Sequence, residues 1–138
     1  MAKEALASFE DRFGWALDDL RALTSGRPVI AEGWGLRPSL VAPLIAAPGR
    51  MVVMVPTEEF RQHQTRVLPR AGRLGSPVSD PERAQRQRLA RDRLLAADAV
   101  RTARQHGIRV IEVDGSRDAA AVADAVAGHF HPYLRITD

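Results

Sequence analysis

Apolar residues in the first third of the chain fall at helical spacing. Leu6, Phe9, Phe13, Ala16, Leu17, Leu20 and Leu23 recur at steps of three and four. They form one stripe and predict an opening helix, which Ser25-Gly26 stops. The pattern then changes. Pro28 to Ala31, "PVIA", has no polar alternation and predicts a short strand of the kind covered on both faces in a parallel sheet. A short helix from about Pro38 to Ile45 is broken by Pro48-Gly49, and Met51 to Val55, "MVVMV", predicts a second unalternating strand. Thr57 is placed to cap a helix carrying "EEFRQHQTR", with Glu58 and Glu59 in the first turn, where carboxylates favour the helix dipole. From Val67 to Pro77 two prolines and two glycines predict a loop. The longest helix follows, capped by Ser79 or Asp80, with Pro81 in its first turn and Gly107 at its end. Arg109 to Val113 predicts a third strand, and a last helix follows the turn at Asp114 to Ser116.

Strands that alternate with helices predict an α/β fold with a parallel sheet. The 138 residues suit one domain, 1–138, with a lid-like loop at 65–79. The sheet of about three short strands flanked by helices is thin, so the expected layer is incomplete.

Composition narrows the chemistry. There is no cysteine, which excludes disulfides, thiolate catalysis and cysteine-based zinc sites. No run approaches the roughly 18 apolar residues of a membrane helix, and "MAKEALASFEDRF" lacks the apolar centre of a secretory signal, so the expectation is a cytoplasmic protein with no membrane partner. Net charge is +3 and it is uneven: Arg61 to Arg104 holds eleven arginines against four acids. A basic segment on a mildly acidic body suggests an anionic ligand, a nucleotide phosphate or nucleic acid. The opposing reading is compositional. Nineteen of the twenty basic residues are arginine, a bias that GC-rich coding produces by itself.

Ligands of open parallel sheets bind beyond the carboxyl ends of the strands. The three predicted strands deliver Glu32-Gly33, Pro56-Thr57-Glu58 and Asp114-Gly115-Ser116 to that rim. Acids there hold Mg²⁺ through water or orient a nucleophile; they are also ordinary turn and cap residues. Arg61 and Arg66, on a helix, and Arg70 and Arg73, in the loop, have the forks that bind phosphate oxygens, as a lid would, or they face solvent. Arg83, Arg86, Arg88, Arg91 and Arg93 read as a solvated helix face, partly paired with Glu82, Asp92 and Asp98. His63, His106, His129 and His131 are scattered and supply no metal set, and no serine or threonine has a triad pattern. Trp15 is read as helix packing. Trp34, between two glycines, is either exposed or faces a substrate.

The order of "VIAEG", "MVVMVP", "TEEFRQHQTR", an arginine loop, an arginine-rich helix and "GIRVIEVDGSRDAAAVADAVAGHF" resembles the C-terminal part of a P-loop nucleoside or nucleotide kinase-like protein, over roughly Val29 to Phe130. The resemblance implies a three-layer P-loop-kinase-like fold and ATP with Mg²⁺. It implies Glu32 as the catalytic acid of the Walker B region, Arg61, Arg66, Arg70 and Arg73 as the phosphate-binding lid, Asp114, Gly115 and Ser116 bordering the base, and Trp34 facing the substrate. The chain departs from the family at its defining element: no G-x-x-x-x-G-K-[ST] stretch exists, and the only lysine is Lys3. The expectation is therefore a domain lacking its first strand and phosphate loop, with weak or no phosphoryl transfer. Two other functions stand beside it. One is a non-catalytic interaction module, a homo-oligomer or partner chain covering the incomplete sheet. The other is nucleic-acid binding by the arginine segment, which the low aromatic content of 5 % disfavours.

Overall fold

A computed structural model describes residues 2–68 and 78–134. Helix α1 (Ala2–Ala22) is followed by an irregular stretch and a short helix α2 (Pro38–Val41) that runs into a 3₁₀ turn. Strand β1 (Val52–Pro56) leads through helix α3 (Glu58–Val67) to the long helix α4 (Pro81–Gln105), then strand β2 (Arg109–Val113) and helix α5 (Ala119–Phe130). The expected lid-like loop at 65–79 divides: 65–67 close α3, while 69–77, with Arg70 and Arg73, lie outside the described residues.

Local chemistry sets most boundaries. Thr57 accepts the Phe60 N–H at 3.3 Å, Asp80 the Arg83 N–H at 2.9 Å and Asp118 the Ala121 N–H at 2.8 Å, each satisfying one of the amide donors a helix start leaves without a partner. Pro81 fits the first turn of α4, and Gly107 ends that helix at φ +67°.

Among the described residues the sheet has two strands, not three. β1 and β2 pair in parallel, Val53 opposite Val110 and Val55 opposite Glu112, joined by the α3–α4 crossover that parallel pairing needs. The expected strand at Pro28 to Ala31 does not form, and Val29 and Ile30 are 52 % and 62 % exposed. The reason lies nine residues after Pro28. The guanidinium of Arg37 donates from Nη2 to the Leu95 carbonyl at 2.9 Å and to the Asp98 carboxylate at 2.7 Å, and is itself buried. That bond fastens the chain to the side of α4, where α2 also packs, instead of laying it beside β1. An apolar run specifies a strand only if an edge is within reach to pair with it.

The core is small. Val53, Ala99, Ala103 and Ile108 form its centre, with Ala42, Met51, Val55 and Val110 packed around them. Alanines at 99 and 103 let α4 lie close on the strand pair, and Ala103 is fully buried. Along α1 the expected stripe is only half covered, with Phe9, Phe13, Leu17 and Leu20 each partly buried. Trp15 does not pack within the fold, contrary to expectation; it is 73 % exposed because it lies on the face of α1 opposite that stripe.

The turn after β2 depends on a glycine. Gly115 has φ +86°, and a Cβ there would stand 2.7 Å from the Phe60 ring. Gly115→Ala is expected to cost about 1–2 kcal/mol for the left-handed backbone alone, and more as the ring is pushed off the turn. Urea denaturation checks this as a fall in midpoint at unchanged slope.

Candidate functional site

The parallel pair brings two of the three expected rim elements together. The Thr57 N–H donates to the Val113 carbonyl at 2.9 Å, so the chain past β1 and the chain past β2 leave the sheet side by side. Asp114 is occupied by its own turn. Its Oδ1 accepts the Ser116 hydroxyl at 2.6 Å and the Ser116 N–H at 2.9 Å, and these bonds hold the carboxyl below its usual range. Gly115 backs onto Phe60, so the turn abuts α3. This is the ordinary Asx-turn use of an acid after a strand. Glu32, by contrast, ends no strand, is exposed and lines neither cavity described below.

The larger cavity, about 660 Å³, is an open groove between the end of β1, the start of α3 and the C-terminal half of α4. Its floor is Val55, Pro56, Ala96, Ala97 and Val100. Four arginines, Arg61, Arg93, Arg101 and Arg104, stand around it with Glu58. Helical geometry explains the layout. Ala96, Ala97, Val100, Arg101 and Arg104 lie three, four, seven, eight and eleven residues after Arg93, which is one face of α4. Alanines in the middle keep the floor low and flat.

Three of these arginines have acids as partners. Arg93 donates to both carboxylate oxygens of Glu58, the Nε bond being 3.0 Å, and this guanidinium, helped by Gln62, holds the Glu58 carboxyl below its usual range. Arg101 bonds Asp98, and Arg104 reaches Glu112 at 3.3 Å. Arg61 differs: its Nη1 is buried and has no hydrogen-bond acceptor among the described residues. Arg37 Nε, away from the groove, is buried without an acceptor as well, and a charged donor left this way costs more than the roughly 1–3 kcal/mol of a neutral one.

The remaining expected residues lie elsewhere. Arg66 is exposed in the last turn of α3 and does not line the groove. Trp34, 60 % exposed, lines a separate cleft of about 450 Å³ with Phe9, Arg88, Arg91, Asp92 and Leu95, between α1 and α4. His129 bonds the Met51 carbonyl through Nε2 at 3.1 Å, a packing role. Of the expected lid, then, only Arg61 reaches the groove among the described residues. Arg93, read from sequence as part of a solvated face, belongs to the groove, and Arg101 and Arg104 join it. The signal that finds them is the alanine and valine patch at 96, 97 and 100 between arginines one to two turns away.

The donor set suits an anion. Arginine forks over a flat apolar floor match a phosphate ester or carboxylate with a planar or apolar body. They do not suit the Mg²⁺ that the resemblance implies: the carboxylates at the groove are already held by arginines, and among the described residues no group of three or more His, Asp or Glu gathers to hold a metal ion. No helix among the described residues is long and apolar enough to cross a membrane. Comparison of the chain with protein-family models, curated proteins and solved structures finds no match.

Proposed function

We propose that this chain is a non-catalytic binding module whose arginine groove takes an anionic ligand with a flat apolar part, a nucleotide being the class the kinase-like resemblance suggests. One observation carries the reading: Arg61, Arg93, Arg101 and Arg104 line one groove whose floor is apolar, and Arg61 Nη1 has no acceptor among the described residues. A phosphate oxygen supplies that acceptor, and Arg93, Arg101 and Arg104 add charge as they exchange their surface acids for the ligand. Phosphoryl transfer is not part of the reading. It rests on positioning and electrostatic clamping of the phosphates, and the chain has neither the phosphate loop nor its lysine.

Calorimetric titration with ATP, ADP and pyrophosphate, against adenosine as the neutral control, tests this. Binding of the three anions that weakens with salt, together with no ATP turnover, is the expected result. Arg61→Gln is expected to weaken binding about tenfold or more, the scale of one charge-assisted bond. Glu58→Gln is expected to tighten it, because Arg93 is then released. No anion binding at low salt, or ATP turnover at ordinary kinase rates, overturns the proposal.

A further inference from the structure

We infer that the groove's macromolecular occupant is a second copy of this chain, whose helix α1 docks by its outer face; the inference rests on the groove being the anion-binding surface argued above. Two surfaces of the same molecule match. Trp15, at 73 %, is the most exposed large apolar side chain among the described residues. On a helix its neighbours one turn away are Asp11, Asp18 and Asp19. All three are exposed, and no ion pair engages them among the described residues. Arg12 is the one base on that side. An indole ringed by three carboxylates is the complement of a small-residue floor ringed by four arginines and Glu58, where the docking carboxylates replace the acids that Arg93, Arg101 and Arg104 now hold. The lengths agree as well: Asp11 to Asp19 spans roughly 12 Å of helix and Arg93 to Arg104 roughly 16 Å.

The docking helix comes from another copy because each copy's own α1 is committed elsewhere. Its Phe9 shares the cleft with Leu95 and Arg88 toward the N-terminal half of α4, and the half-covered stripe of Phe13, Leu17 and Leu20 is turned to that side. Trp15 therefore points away from the helix that carries the groove. Two copies related by a two-fold axis each offer one helix face and one groove, and both contacts form at once, closing the assembly. Tryptophan and arginine are the residues that most often dominate such contacts, and charge complementarity fixes the partner and speeds encounter.

Sedimentation equilibrium over a wide concentration range is the test, with the full chain. The expected result is a monomer–dimer equilibrium that shifts toward monomer as salt or pyrophosphate is added. Trp15→Ala, a change at an exposed position that leaves folding intact by circular dichroism, is expected to raise the dimer dissociation constant about tenfold or more. Arg101→Glu/Arg104→Glu is expected to be monomeric, and so is Asp18→Arg/Asp19→Arg. A chain carrying all four reversals is expected to dimerise again. In Trp34→Phe protein, Trp15 is the sole tryptophan, and its emission is expected to move to the blue as concentration rises. A monomer at every concentration, or a dimer that Trp15→Ala does not weaken, overturns the inference. The two proposals fail separately: Trp15→Ala leaves pyrophosphate binding intact if the groove is an anion site, whether or not a dimer exists.

Discussion

Asp98→Ala is expected to be the most damaging single polar substitution, costing about 3–5 kcal/mol, the range for removing one partner of a buried ion pair. Arg37 keeps only 4 % of its side chain exposed, and Asp98 is its one charged partner among the described residues. Without the carboxylate, the guanidinium retains the Leu95 carbonyl but stands charged in the interior. The contrast is Arg37→Met, which removes the charge and keeps apolar volume; it is expected to cost clearly less, since Asp98 still bonds Arg101. Paired urea titrations of the two variants check this, and equal losses would refute the buried-charge account. The pair also sets an acid limit. Burial acts to raise the Asp98 carboxyl, but hydrogen bonds from Arg37 and Arg101 outweigh it and hold the carboxyl below its usual value. A depressed folded-state value means the contribution is fully present above the unfolded value of about 4 and is lost as pH falls through the folded one. The wild-type protein is therefore expected to lose stability below about pH 4, and Asp98→Ala to lose less over the same window.

Leu95→Ala is the second large effect expected, about 2–4 kcal/mol. Leu95 is 3 % exposed and sits where α4 meets the chain around Arg37 and the cleft beside Phe9 and Trp34. Leu95 lies outside the central cluster of Val53, Ala99, Ala103 and Ile108, and truncating it removes buried methyl groups and leaves a cavity beside Phe9 and Trp34. Thermal unfolding followed by circular dichroism checks the loss. A drop comparable to that of a surface substitution would show that this side of α4 carries little of the stability.

The elements that sequence foretold best are those whose signals are local. β2 was expected at Arg109 to Val113 and runs there, and the caps of α3 and α4 sit on Thr57 and Asp80. Each depends on residues within one helical turn or one short run. The failure at Pro28 to Ala31 has the opposite origin. Four apolar residues satisfy a strand, but only a free edge beside them makes one, and Arg37 directs the chain to α4 instead. Nothing adjacent to Arg37 in sequence announces this. It precedes a proline at a helix start, where arginine is unremarkable, and its partner is 61 residues away.

The candidate site divides in the same way. The arginine face of α4 was legible as a spacing, and so was the charge surplus that points to an anion. Which arginines face a cavity was not, because that depends on β1 and α3 closing over the C-terminal half of α4 and not over the N-terminal half. Glu32 illustrates the cost of one missing strand: its expected place on the rim existed only through the sheet position that Pro28 to Ala31 does not take.

By itself, then, the sequence determined the helices, most of their caps, the two strands that form and the excess of arginine along the middle of the chain, all through interactions between near neighbours and through composition. Tertiary structure alone decided that Arg37 is buried, that Arg61 has a nitrogen without an acceptor among the described residues, and that four arginines share one apolar floor. These are pairings across 35 to 61 residues, as in Arg93 with Glu58 and Arg37 with Asp98. Side chains so far apart in the chain meet only after helices and strands have packed, when burial and the need to satisfy charged groups choose between arrangements that local preference leaves equal.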